Sequence, residues 1–595
     1  MDLEKIEEVG ITPLNDLFEE IDKISSLSDF VKFVAKSHKY GVNILFDIAS
    51  EAHPENSQRT ILWIYEAVFG LPSKEYYFDA DKEELRSAYL SFITEILTMA
   101  GLENAHTISL EIMALETEIA KAAKSSIEGR DLKGMTNLRT LEELPSSWLW
   151  QEYFEIVGED CLDVNALSTI CVFNPTYHPV GAFAIRSAYF YCSSYLEFVV
   201  GLFSSDPDRL ALLKHYAKWQ TLLTFAPFLS SGFVDAHFRF FGQTLQVKPP
   251  LSLPFWGEPQ QFFQGQPRPV DRWVWLIRLL NYQAGDLLGK LYCDRYFPPS
   301  SRDYVLDLAE TIIVSLRDII GKVEWMEEST KFHALEKLKN LQLKVGYPNK
   351  YTDYRAFMPS KEDNFVSIVR QLFEFNLKWD LRYVGKPTSR DRWLVAPQTV
   401  NAYYHPFSNV IVLPAGILQG YSFGPEKDLC VNYGAIGAII SHECTHGYDD
   451  QGKDVDAYGN LANWWSPNDI QKYNERLRPI IEQYSSLRVI GDHYVDGNLT
   501  LGENIADIGG VKCAYHAMQK ALQRHPEANK IIDNFTPSQR FFISWCQLSR
   551  EKTREAYLLH QLRTDEHPPS KVRATQTLRN IPAFYEAFQV QEGVR

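Results

Sequence analysis

Two histidines four positions apart flank a glutamate in Ser441-His442-Glu443-Cys444-Thr445-His446. On a helix that spacing puts both imidazoles on one face. They can then take adjacent corners of a zinc tetrahedron while Glu443 leans toward an open position. The run Ala435 to Ile440 before them is apolar, so this helix is expected to be buried. Burying two histidines and a glutamate together is costly unless they bind something. A second segment, Leu499 to Gly510, carries Glu503 and Asp507, again four apart. Glu503 can be the third protein ligand, and Asp507 can accept the hydrogen bond from the other nitrogen of a ligating histidine, fixing its tautomer. Ile505 and Ile508-Gly509-Gly510 mark this helix as packed rather than solvated.

The elements that must position these residues are mostly helical. Apolar residues recur at i, i+3 and i+4 from about Leu14 to Phe240, for example over Asp81 to Met99 and Thr107 to Ala123. The proline-rich stretch Lys248 to Pro269 breaks the pattern. Long helices are expected again over Arg272 to Phe297 and Ser301 to Asn340, with a break near Gly346-Tyr347-Pro348. Between Arg392 and Leu413 the residues alternate and favour β-branched and aromatic types, which predicts two strands around a Pro-Phe-Ser-Asn turn. At 595 residues the chain is too long for one core. The expectation is a mainly α, two-lobed protein, residues 1–365 forming the first lobe and 366–595 the second.

Composition narrows the function. The chain is 45% hydrophobic and 23% charged, as in ordinary globular proteins, and its formal net charge is −16. Such a balance argues against a nucleic-acid partner, because a phosphate backbone calls for a basic face. No stretch reaches the roughly 20 apolar residues of a membrane span. The N-terminus is acidic and amphipathic, unlike a secretory signal. Eight scattered cysteines, without a CxxC pair, read as reduced and mostly buried thiols. A cytoplasmic monomer is expected.

Taken together, Val400-Asn-Ala-Tyr-Tyr404, Pro414-Ala-Gly-Ile-Leu-Gln419, His442 to Asp450, Asn463-Trp-Trp465, Gly502 to Gly510 and Thr564 to Phe588 resemble the neprilysin family of zinc metallopeptidases. Leu71 to Tyr77, Phe233 to Phe238 and Trp325 to Pro348 extend the likeness over nearly the whole chain. The resemblance implies a thermolysin-like zincin lobe with a small β-sheet, and a large all-helical lobe covering the active site. It implies one zinc ion per chain held by His442, His446 and Glu503, with Glu443 as general base and Asp507 as the carboxylate that orients a ligating histidine. His567 falls where the family places an oxyanion donor, Arg573 where it places an arginine that binds the substrate backbone, and Asn401-Ala402 where an edge strand pairs with the peptide. Secreted members carry cysteines where this chain has Leu276, Pro479, Arg550 and Val590, which again suggests the cytoplasm. Met1-Asp2 aligns after the family's first helices, so either a shortened form or a misassigned start is expected. Ser549 replaces a family tryptophan near a substrate pocket.

The expected activity is hydrolysis of internal bonds in oligopeptides. A zinc aminopeptidase shares the HExxH…E pattern but needs an acidic cluster for the free amine. A catalytically impaired peptide-binding member is the alternative from another class, and retention of Glu443 weighs against it.

Overall fold

The computed structural model describes residues 3–66, 70–124, 132–164, 167–173, 194–201, 207–245 and 268–590. Most of the proline-rich break and Cys192 lie outside the described residues. The contacts divide the chain into two units, each interrupted in sequence. The first comprises Met1–His53, Gln58–Leu279 and Asp353–Thr388; the second comprises Pro54–Ser57, Leu280–Thr352 and Ser389–Arg595.

Helices dominate the first unit and start where the sequence supplies caps. Ser26 accepts the Asp29 N–H to open Leu27–Lys39, and Asn364 accepts from Ser367 to open Phe365–Leu381. Glu83–Met99 and Ala105–Ala122 form as their periodicity predicts. This unit is not all-helical, however. Phe46–His53, Asn56–Glu66, Ile170–Phe173 and Thr136–Arg139 make a four-stranded sheet in that spatial order. The second and third of these strands run parallel, Leu62 opposite Ile170, and the third and fourth antiparallel, Thr136 opposite Phe173. The β-branched and aromatic run from Thr60 to Tyr65 is the local cause.

The second unit holds a three-stranded sheet in the order Gln342–Gly346, Val410–Pro414, Tyr403–His405. The first pair is parallel, with Leu343 opposite Ile411, and the second antiparallel, with Tyr404 opposite Ile411. Pro406–Ser408 and Asn409, in the left-handed region at φ 47°, make the expected turn. The strand before it is shorter than the alternation suggested. Pro397 has no N–H to donate, and Thr399 N bonds Ala396 O, closing a turn where a strand was expected. The expected helix over Arg272 to Phe297 is two, Arg272–Gln283 and Gly285–Tyr296, and that over Ser301 to Asn340 is Pro299–Gly321 and Glu328–Asn340.

A single boundary near residue 365 does not match this division. Strand Gln342–Gly346 is paired to Val410–Pro414, so it is fixed in the second unit. Val305, Leu308 and Ile312 of Pro299–Gly321 share one buried core with Val511, Ala514 and Met518. Residues 353–388 return to the first unit, where Ser50 N donates to Asp380 Oδ2 at 2.6 Å.

Candidate metal centre and active site

Two crossing helices of the second unit build the site. The histidine helix, Ala438–His446, follows a wider π-turn, Tyr433–Gly437, and is buried along Ala438, Ile440 and Ser441. The carboxylate helix, Leu501–Arg524, buries Glu503, Asn504 and Asp507. Glu503 lies in its first turn, where the helix dipole favours a carboxylate. The crossing is close because Gly509 and Gly510 lack side chains. A Cβ on Gly510 would lie 2.8 Å from the main-chain nitrogen of His442, and one on Gly509 2.7 Å from the Thr445 side chain.

One ligand atom from each of His442, His446 and Glu503 lies within 4.8 Å of the others. The two imidazole Nε2 atoms are 3.0 Å apart. Glu503 Oε2 is 3.2 Å from His442 Nε2, and Oε1 is 3.5 Å from His446 Nε2. The opposite nitrogens fix the tautomers. His442 Nδ1 is 2.8 Å from Asp507 Oδ1, and His446 Nδ1 is 2.8 Å from Asp449 Oδ2. An ionised carboxylate can only accept, so both Nδ1 atoms donate and both Nε2 atoms turn toward the shared centre.

This arrangement fits a zinc ion. In neutral rings of that tautomer the two lone pairs face each other beside a buried carboxylate, an arrangement that repels unless a cation joins them. Glu503 Oε2 is also 3.1 Å from His567 Nε2, yet among the described residues this buried oxygen has no hydrogen-bond partner. The electrostatics make the same demand. Burial and then His446 oppose charge on His442, yet Asp507 and Glu503 leave its pKa raised. Burial opposes it at His446 too, but Glu503 and Asp449 lift that ring to about 10. At Glu503 burial favours the neutral form, and the charges of His567 and His446 outweigh it, holding the carboxyl well below its usual range. Two histidines and a carboxylate are a donor set that suits zinc.

The C-terminal helices complete the surroundings. Between Glu555–Thr564 and Ser570–Arg579, Asp565 Oδ1 accepts from His567 N at 2.9 Å and lies 3.0 Å from His567 Nδ1. That aims His567 Nε2 at Glu503. Arg573 grips Asp507 with two donors, Nε to Oδ2 at 2.8 Å and Nη2 to Oδ1 at 2.7 Å. Burial works against ionisation of Asp507, but Arg573 and then His442 bring its pKa down to about 2. Glu443 is only 6% exposed, and among the described residues its carboxylate forms no hydrogen bond or ion pair. Asn401 and Ala402 stand just before the edge strand, where Ala402 N donates to Asn401 Oδ1 at 2.9 Å; no described hydrogen bond joins them to the cluster.

Seven of the nine expected site residues therefore converge: His442, Glu443, His446, Glu503, Asp507, His567 and Arg573. Sequence reasoning missed Asp449 and Asp565. Each is a short step along the chain from its histidine, three residues after His446 and two before His567, and that proximity was the available signal.

Convergent nitrogen and oxygen donors on two helices, with an unengaged carboxylate beside them, define a zinc metallopeptidase. The chain matches Peptidase family M13 over residues 1–348 and again over 401–595, and it belongs to that family of zinc metalloendopeptidases. The neprilysin-like resemblance is thereby borne out. The chain is 28% identical to the endothelin-converting enzyme homolog of Locusta migratoria, over 99% of this chain and 79% of that protein. It is 29% identical to membrane metallo-endopeptidase-like 1 of Mus musculus, over 93% and 71%. The crystal structure of Mycobacterium tuberculosis zinc metalloprotease Zmp1 in complex with inhibitor matches with a TM-score of 0.88 and 30% identity, over 99% of this chain and 85% of that one. PepO from Lactobacillus rhamnosis HN001 shares the fold at a TM-score of 0.83 and 22% identity, over 100% and 86%.

Proposed function

We propose that His442, His446 and Glu503 hold one zinc ion per chain and that the site cleaves internal bonds of oligopeptides. The observation that carries this reading is Glu443: a nearly buried carboxylate with no hydrogen bond or ion pair among the described residues, one residue from a ligand. A zinc ion held there supplies a Lewis acid that makes water acidic near neutral pH and polarises a peptide carbonyl. Glu443 takes the proton of the attacking water and passes it to the leaving amine. Asp507 and Asp449 keep the two imidazoles in the ligating tautomer. His567, held by Asp565, donates from Nε2 to the oxyanion as it develops. With Nε and Nη2 of Arg573 committed to Asp507, Nη1 is the donor left for a substrate carbonyl. Tyr403–His405 is the last strand of its sheet, and an extended peptide can align along it and Asn401-Ala402.

Cytoplasmic location and a monomeric state belong to the same proposal. The seven described cysteines are free, five of them buried, in keeping with a reducing compartment. No helix among the described residues is long and apolar enough to cross a membrane.

Glu443→Gln tests the reading. The variant is expected to bind zinc in the wild-type ratio and to lose at least about 10³-fold in kcat on an internally cleaved reporter peptide, about 4 kcal/mol of barrier. Zinc-replete wild type that cleaves no peptide at all, or cuts only amino-terminal residues, would overturn it.

A further inference from the structure

Lys337 is a buried cation that the chemistry above leaves unused. It sits on Glu328–Asn340 at 2% exposure, in the same unit as the metal cluster. Its Nζ donates to two main-chain carbonyls, Gly452 O at 2.7 Å and Val455 O at 2.6 Å. The rings of Tyr404 and Tyr448 face it at 5.8 and 5.9 Å. Burying an ammonium is costly, so this one has to be worth its desolvation.

What it holds is the loop that orients a ligand. Gly452 and Gln451 donate their N–H groups to Asp449 Oδ1, at 2.6 and 2.9 Å, which leaves Oδ2 for His446. Gly452 is pressed against the end of the histidine helix so tightly that a Cβ there would overlap His446 O. Gly452 thus offers its N–H to Asp449 and its carbonyl to Lys337. Three acids of the loop, Asp449, Asp456 and Asp454, act on the Lys337 charge and oppose the burial that brings its pKa down to about 7.

We infer that Lys337 is a positioning residue for the metal centre: it clamps Gly452–Val455 so that Asp449 is presented to His446 Nδ1 in the orientation that turns Nε2 to the metal. It acts only through Asp449. This rests on the zinc reading proposed above.

The test is a double-mutant cycle on zinc affinity, measured by chelator competition on folded full-length protein. Lys337→Met is expected to weaken zinc about 10-fold, the lower end of what losing a ligand's supporting partner costs. In an Asp449→Asn background the same substitution should change affinity by less than about 3-fold. Should Lys337→Met fail to fold, Lys337→Gln, which keeps a donor without the charge, is put through the same cycle with the same expectations. Unchanged affinity in the single variant, or equal losses in both backgrounds, overturns the positioning role. Wild type that takes up no zinc overturns the zinc reading instead, so the two failures are distinguishable.

Discussion

Asp449 decides which nitrogen of His446 is free. Its Oδ1 is saturated by the N–H groups of Gln451 and Gly452, so only Oδ2 reaches the imidazole. In Asp449→Asn the carbonyl oxygen keeps those two donors, and the amide NH₂ then points at His446 Nδ1. Two donors cannot face each other, so the ring must take the other tautomer and carry its proton on Nε2. Zinc affinity should fall about 10- to 100-fold, with the fold intact. Equilibrium dialysis checks this, and affinity within 3-fold of wild type would count against the tautomer argument. At this scale the sequence was informative where chemistry repeats on one helix: His442 with His446, and Glu503 with Asp507. Asp449 and Asp565 were less visible, because their roles depend on how a chain folds back after a helix has ended. Nothing in the sequence separates Lys337 from Lys339 two positions on; only tertiary burial distinguishes it.

Contact between the histidine and carboxylate helices depends on the absence of two side chains. With a Cβ of Gly510 only 2.8 Å from His442 N, Gly510→Ala must push apart main chain on both sides. Overpacking of this kind costs about 1–3 kcal/mol. The displacement also moves Glu503 away from the imidazoles, so the expected outcome is a lower melting temperature together with weaker zinc binding. Thermal melts with and without added zinc separate the two effects: the zinc-induced rise in Tm should shrink. A full-sized rise would show that the glycine matters only for packing. The pair Gly509-Gly510 signalled close packing in the sequence, but which neighbour it met did not follow from it. The strands of the first unit were harder still. Leu62 pairs with Ile170 more than a hundred residues away, and no local period encodes that partner.

Stability of the whole molecule should vary with pH through buried histidines distant in sequence from the metal cluster. His38 is fully enclosed, 2.5 Å from Tyr153 Oη, and its Nε2 accepts the Ile44 N–H. Burial drives its pKa from 6.5 down to about 3, and His237 falls to about 3 for the same reason. The unfolded chain therefore binds protons between these values that the folded chain refuses. The contribution is fully present above about pH 6.5 and is lost progressively as pH falls toward 3, by a few kcal/mol for each histidine. Urea midpoints measured from pH 7 to 4 should drop in wild type and drop less steeply in His38→Gln. Equal slopes in both proteins would remove His38 from the acid sensitivity. Composition and helical periodicity conveyed the mainly α class and the need for more than one core. They could not convey that each unit is assembled from separated stretches of chain.

That interleaving governs the order in which the chain can become a protein. Val410–Pro414 waits for a partner strand that has already been synthesised, Gln342–Gly346, while residues 353–388 are committed to the other unit. The entropy of closing that loop has to be met before the parallel pairing returns anything, which makes this a slow step. Until it is met, the core that carries the two metal-site helices lacks Val305, Leu308 and Ile312. A gene fragment beginning at residue 366 would contain all nine expected site residues and still omit part of the wall they are built against.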